Sequence, residues 1–363
     1  MKTSLKTFTL CAMLTLAGCK SIGPGQVAGD RFDYSAAIGD SWKRQTLLNI
    51  VKLRYVDPPV FVDVGQIIAS RTLSRNLSVF GNSSAYNNGP APGAVLGNFG
   101  VTAGGTYSDQ PTVTYTPLTG NKYIRSLLTP LVPESVFHMI QAGWPADGVL
   151  LMAAGALNGL RNEEASINGF SPPDPDFLRT LGLMRKIQLA GGVAFRVQED
   201  AQKQQTSLLS FRRQDIAPEV LADSIELRRL LRLDPDATEF KLVFGATAVN
   251  DKEVAVRTRS LMQLMGIMAA QVEVPAEHLA EHSAMPGWES VPGATADKRL
   301  LQIHSSKSNP PHSFVAVPYQ DYWFWIDERD LKSKRVLTFM LMMFTLADTG
   351  EAQPLPQVTI PAR

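Results

Sequence analysis

From Asn76 to Ser108 the chain runs 33 residues without a single charged side chain, yet it is crowded with Ser, Thr, Asn and Gly. Such a stretch has the composition of neither a normal core nor a normal solvated surface. Read with a period of two, Val95, Gly97, Phe99, Val101, Ala103, Gly105 and Tyr107 share one face. Asn98, Gly100, Thr102, Gly104, Thr106 and Ser108 share the other with Leu96. Upstream, Leu77, Val79 and Ala85 alternate with Ser78, Asn82 and Ser84, while Phe80 and Tyr86 fall on the polar side. Asn87-Asn88-Gly89-Pro90 supplies a turn between the two segments. Two readings follow. Weak alternation is common in soluble proteins, and a soluble antiparallel hairpin or a Gly-rich loop is the more frequent result. The sharper reading is a membrane-spanning hairpin with a lipid-compatible face and a hydroxyl face, which must close into a barrel built by several copies.

The N-terminus carries a second strong signal. Lys2 and Lys6 precede an apolar run from Phe8 to Leu16, too short for a bilayer span and laid out like an export signal. The closing residues Leu16-Ala17-Gly18-Cys19 resemble the lipobox of bacterial lipoproteins. That resemblance implies cleavage before Cys19, acylation of its sulfur and anchoring to a membrane. Lys20, standing where an inner-membrane retention signal usually has aspartate, implies the periplasmic face of the outer membrane. Shared barrels built from one hairpin per copy are similar in architecture to oligomeric secretion-channel lipoproteins such as the curli pore.

Cysteine usage narrows the chemistry. The only cysteines are Cys11, inside the removed segment, and Cys19 at the cut, so thiol catalysis, CxxC redox chemistry and cysteine-ligated zinc are excluded. Loss of Lys2 and Lys6 leaves 33 of the 35 basic residues against 34 acidic ones, which gives no electrostatic reason to expect nucleic acid as a partner.

Periodicity and breakers predict a mixed α/β, α+β chain: a signal peptide over 1–18, a flexible tether over 19–35, and an N-terminal α+β domain over 36–186 that holds the uncharged β segment 76–117. A C-terminal α/β domain over 187–349 and a Pro-containing tail over 350–363 complete it. Predicted helices are Trp42–Tyr55 capped by Asp40-Ser41, Asn121–Leu128, Pro133–Ala142, Ala146–Leu160, Pro175–Lys186, Pro218–Leu231, Lys252–Ala270 and a buried closing helix Glu328–Leu346. Predicted strands include Val60–Val64, Val193–Gln198, Ser207–Arg212, Glu239–Phe244, Leu300–His304 and Phe314–Ile326.

Motifs that could carry chemistry are few. His278-Leu279-Ala280-Glu281-His282 resembles the inverted zinc-protease motif, in which His278 and His282 would hold the metal and Glu281 would activate water. It lies in a Pro-bounded stretch with few apolar residues and no third ligand, so an exposed helical turn is the expected reading. Gly39-Asp40-Ser41 resembles the start of the GDSL-type lipases, but Asp33 to Ile38 makes a poor strand and no histidine follows an aspartate by three, which favours helix capping. Tyr319, Tyr322, Trp323, Phe324 and Trp325 crowd one strand and could stack on peptidoglycan sugars or a partner peptide, or pack a strand covered on both sides, the commoner outcome. The expectation from sequence is therefore a lipid-anchored, non-enzymatic envelope component with no cofactor. Its anchor is Cys19, and its partners are the membrane and a second copy or another envelope protein.

Overall fold

The computed structural model describes residues 27–85, 95–118, 121–166, 169–199, 205–291 and 299–347. The lipobox with Cys19, the Asn87-Asn88-Gly89-Pro90 turn and the tail over 350–363 lie outside them. The fold is mixed α+β. A helix α1 (Val27–Arg54) precedes four strands, β1 (Phe61–Ile68), β2 (Arg71–Ala85), β3 (Val95–Asp109) and β4 (Thr112–Leu118). Helices α2 (Asn121–Leu128), α3 (Pro133–Gln141) and α4 (Ala146–Ala153) then lead to strands β5 (Ala154–Leu157), β6 (Leu160–Arg161), β7 (Glu164–Ser166) and β8 (Gly169–Ser171). After α5 (Pro175–Leu189) come β9 (Val193–Glu199), β10 (Gln205–Phe211), α6 (Pro218–Leu230), β11 (Glu239–Phe244), β12 (Glu253–Thr258) and α7 (Leu261–Ala270). The short α8 (Ala276–Ala280), strands β13 (His304–Ser306), β14 (Ser313–Tyr319) and β15 (Tyr322–Asp327), and α9 (Leu331–Ala347) close the chain.

The described residues fall into two compact units, one drawn from 27–39 and 62–117 and the other from 40–61 and 118–347. The boundary expected at 186 instead falls inside a single sheet of order β6-β5-β12-β11-β10-β9, because β5 and β6 pair ahead of β12 while β9 to β12 follow residue 186. That sheet is antiparallel except for the β11–β12 pair. Its helices bury Phe177, Ile187 and Leu227, and α7 adds Met265 and Met268, each of these five side chains being at or near full burial. The second sheet, β13-β15-β14, sends Phe324 and Ile326 into the same core, where α9 contributes Leu337 and Met340.

Local chemistry explains where elements stop. The helix expected over Ala146–Leu160 ends at Ala153, because Asn158 (φ 43°) and Gly159 (φ 89°) form a two-residue turn between β5 and β6. Asn158 then locks this hairpin, donating to Leu231 O at 2.8 Å and accepting from Ala255 N at 2.6 Å. The helix expected over Lys252–Ala270 is a strand followed by a helix. Ser260 accepts from Gln263 N at 3.2 Å, and Gln263 Oε1 in turn accepts from Ser260 N at 2.9 Å, a reciprocal cap that starts α7 afresh after β12. The single strand expected over Phe314–Ile326 folds back at Gln320-Asp321, both in the left-handed region (φ 44° and 62°), so β14 and β15 form a hairpin. The strand expected at Leu300–His304 is displaced to His304–Ser306, paired with β15.

Where α1 meets the segment between α8 and β13, Arg54 is 1% exposed. Its Nη1 donates to Ala270 O at 3.1 Å, its Nη2 pairs with Glu289, and Gly287 N donates to the same carboxylate at 2.9 Å. Burial pulls the Arg54 guanidinium below its usual pKa, and Glu289 partly opposes this.

Candidate functional site

Strands β1 to β4 have a nested arrangement: β2 pairs with β3 and β1 with β4, each as a two-stranded sheet. Only Ala69-Ser70 separates β1 from β2, and only Gln110-Pro111 separates β3 from β4, while Gln110 N donates to Ser70 O at 2.9 Å across the junction. The two ladders thus follow one another along the same pair of chain segments, interrupted where Pro111 has no N–H to give. The result is one long antiparallel ribbon. In β2–β3 the register runs without a slip from Arg71 opposite Asp109 to Ala85 opposite Val95.

Opposed residues of an antiparallel pair share a face. Leu77 opposite Ala103 and Val79 opposite Val101 make one side of the ribbon apolar, and Tyr107 lies on the same side. Thr72 opposite Ser108, Ser74 opposite Thr106, Asn76 opposite Gly104 and Ser78 opposite Thr102 make the other side polar. This is the alternation that the sequence displays. Phe80 is the exception, opposite Gly100 on the polar side, and a Cβ on Gly100 would overlap its ring. Gly100 thus leaves room for the exposed Phe80 ring to lie across it, and a side chain there would push the ring aside. Gly104 stands in the same relation to the Asn76 side chain.

Charge gathers at one end. Arg71 donates from Nη1 and Nη2 to the two carboxylate oxygens of Asp30 at 2.7 and 2.8 Å, and from Nε to Asp109 at 3.0 Å. These hydrogen bonds, to Asp30 first and then to Asp109, hold the guanidinium pKa above its usual value. Residues 27–35, within the stretch expected to be a flexible tether, are helical, and the Asp30 contact ties them to the ribbon. A bidentate ion pair fixes the first helical turns where no apolar face is available.

Burial is what sets this unit apart. None of its described side chains is buried. Leu77, Val79, Phe80, Val101 and Tyr107 are between 54% and 71% exposed. The core cluster draws nothing from residues 62–117. A lone two-stranded hairpin is marginal in water, and each large apolar side chain left in solvent forgoes about 1.5–3 kcal/mol. Among the described residues no third strand joins either outer edge of β2–β3. Among the described residues β2–β3 is thus a two-stranded ladder with exposed apolar side chains and no further strand beside it.

The other candidates from sequence are placed as follows. Helix α8 ends at Ala280, and His282 adopts φ 57°, so His278 and His282 do not occupy successive turns of one helix as the inverted zinc-protease motif requires. His278 Nδ1 instead shares a hydrogen bond with Tyr55 Oη at 2.8 Å. Among the described residues no group of three His, Cys, Asp or Glu could hold a metal ion. Gly39-Asp40-Ser41 lies inside α1 and not at its start, with Asp40 paired to Lys43 at 2.7 Å and to Arg44 at 3.5 Å, so it caps nothing and forms no nucleophile turn.

The aromatic strand β15 is split by face. Phe324 and Ile326 are fully buried, whereas Trp323 and Trp325 are half-buried on the opposite side, and Trp325 lies 4.7 Å from the His304 ring. Tyr322 donates to Glu277, and Tyr319 donates to Asp57 at 3.1 Å. Tyr55 sits against Tyr319 and Phe324, and burial pushes its hydroxyl up to about 12.

Glu273, which sequence reading did not single out, organises the edge beside Trp325. It accepts from Arg299 at 2.9 Å and Gln302 at 3.0 Å, and it meets His304 Nδ1 at 3.0 Å. Burial raises the Glu273 pKa, but hydrogen bonds from His304 and Gln302 and the nearby charge of Arg299 overcome this, leaving it below the ordinary value. A depressed carboxylate stabilises the fold above its unfolded pKa of about 4.3, and this stabilisation is lost as pH falls through the folded value. Thermal unfolding followed from pH 7 to pH 3 should show a loss of stability in the acid range, and the slope should be shallower in Glu273→Gln. Identical slopes would remove Glu273 as the cause.

Among the described residues no helix is long and apolar enough to cross a membrane. Comparison with protein-family models, with curated proteins and with solved structures finds no match to this chain.

Proposed function

We propose that this protein is a lipid-anchored, non-enzymatic component of a bacterial envelope assembly, and that copies of the chain associate through the ribbon β1–β4. The observation that carries this reading is a folded unit without a single buried described side chain. Such a unit completes its burial outside its own chain, and self-association satisfies both open edges at once, since β2 of one copy can pair with β3 of the next. The lipobox Leu16-Ala17-Gly18-Cys19 supports placement at the periplasmic face of the outer membrane, with acyl chains on Cys19 as the membrane contact. No cofactor is needed for such a role.

The test is the mass of the detergent-extracted protein. A discrete multiple of the protomer mass is expected, and a monomer over the working concentration range would overturn self-association. In parallel, Cys19→Ala should leave the outer-membrane fraction almost completely; a variant still firmly in that fraction would remove lipid anchoring. The half-buried indoles of Trp323 and Trp325 support a second reading, a peptidoglycan- or peptide-binding module. A monomer that sediments with peptidoglycan would move the assignment there.

A further inference from the structure

We propose that the associated ribbons form a transmembrane pore, in which the Leu77–Val79–Val101 side faces lipid, the hydroxyl and amide side lines a water-filled lumen, and Phe80 forms an apolar collar within it. This deepens the self-association reading and rests on it. The occupants of the two faces are thus hydrocarbon on one side and water on the other, and the partner at each edge is a second copy.

Length is the first argument. The uncharged part of β2 runs ten residues, from Asn76 to Ala85. At about 3.3 Å per residue it reaches about 33 Å, and tilted by about 40° it spans roughly 25 Å, the height of the apolar band of a membrane barrel. Charge is the second. The charged positions of the ladder, Arg71 and Asp109 with Asp30 ion-paired to Arg71, and Arg75 opposite Gly105, lie at its start, outside the neutral part, as the cost of charge in hydrocarbon requires. Beside them Tyr107, opposite Leu73, 54% exposed and with its hydroxyl 3.5 Å from Asp109, sits just outside the neutral part on the apolar side. That is the position of an interfacial aromatic girdle.

Face chemistry is the third argument. All ten described positions from Thr72 to Phe80 and from Gly100 to Ser108 on the polar side are Ser, Thr, Asn or Gly except Phe80. A lumen of uncharged hydroxyl and amide groups passes hydrated solutes of either sign without strong selection. Phe80 interrupts it near the middle of the neutral segment, over Gly100, which has no side chain to displace the ring. Repeated in every copy, the ring makes a hydrophobic constriction at one height, and such constrictions restrict water and ion flow.

Neighbouring positions supply the test, because residues 77 and 78 face opposite sides. Full-length lipidated protein is reconstituted in planar bilayers of phosphatidylethanolamine and phosphatidylglycerol, with oligomer mass measured on the same preparations. The native protein should give discrete conductance steps. Phe80→Ser should raise unit conductance at least about twofold. Ser78→Arg should still insert and shift selectivity toward anions, whereas Leu77→Arg should keep the detergent oligomer but lose insertion by tenfold or more. Oligomers that leave the bilayer sealed would overturn the pore while sparing self-association, and absence of oligomers would overturn both. Unchanged conductance in Phe80→Ser would overturn the collar, and equal loss of insertion in the two arginine variants would overturn the assignment of faces.

Discussion

Gly287→Ala is expected to cost the larger unit about 4 kcal/mol or more, enough to consume much of the 5–15 kcal/mol that holds a typical domain together. A Cβ at this position would overlap the Arg54 guanidinium and the main-chain carbonyl of Ala270. Neither can retreat cheaply. Arg54 is 1% exposed and bound to Ala270 O and Glu289, and Ala270 ends helix α7 in the middle of the core. Overpacking alone costs about 1–3 kcal/mol, and displacing a buried arginine from its carboxylate adds the penalty of an uncompensated charge, about 3–5 kcal/mol when a pair is broken outright. Urea unfolding should show a large fall in midpoint with unchanged slope. The same substitution at Gly266, where a Cβ would meet no atom, provides the contrast: helix propensity there should make it neutral or stabilising by up to about 1 kcal/mol. Equal midpoints for the two variants would show that the Arg54 contact does not constrain position 287.

The second large effect concerns the ribbon. Removing residues 76–104 and joining Arg75 to Gly105 through Asn-Gly should abolish oligomers while leaving the unfolding midpoint of the larger unit in place. The register sets Arg75 opposite Gly105, so a two-residue turn closes the shortened hairpin without forcing a slip. No member of the hydrophobic core cluster is lost with the deleted residues. An oligomer of native mass formed by the shortened protein would place the association surface elsewhere and remove the ribbon from the argument.

Much of the element order is legible locally. Helix Asn121–Leu128 and strand Glu239–Phe244 are observed at their expected bounds, and Pro133, Pro175 and Pro218 each open a helix, where the missing N–H has no partner to lose. Two misread segments also carried local signals. Asn158-Gly159 is a hairpin turn pair inside what reads as helix, and Ser260 with Gln263 is a capping box inside another. In both, the apolar spacing around the signal mimics a helix because β5 and β12 are buried strands, and a strand buried on both faces shows no alternation. Gln320-Asp321 had no such signal, since neither residue is glycine. Its turn is imposed by the pairing of β14 with β15.

The amino-acid sequence by itself determined the resemblance of Leu16-Ala17-Gly18-Cys19 to a lipobox, the neutral stretch from Asn76 to Ser108 and its two-faced alternation, because these depend on residue type and near-neighbour spacing alone. Only the tertiary structure decided that β1 closes on β4 to extend the hairpin, that Arg71 pairs with both Asp30 and Asp109, that Phe80 lies against Gly100, and that His278 turns to Tyr55 and not to a shared metal site with His282. Those contacts join residues far apart along the chain. Their formation depends on loop closure and on the packing of whole elements, quantities that no short window of sequence contains.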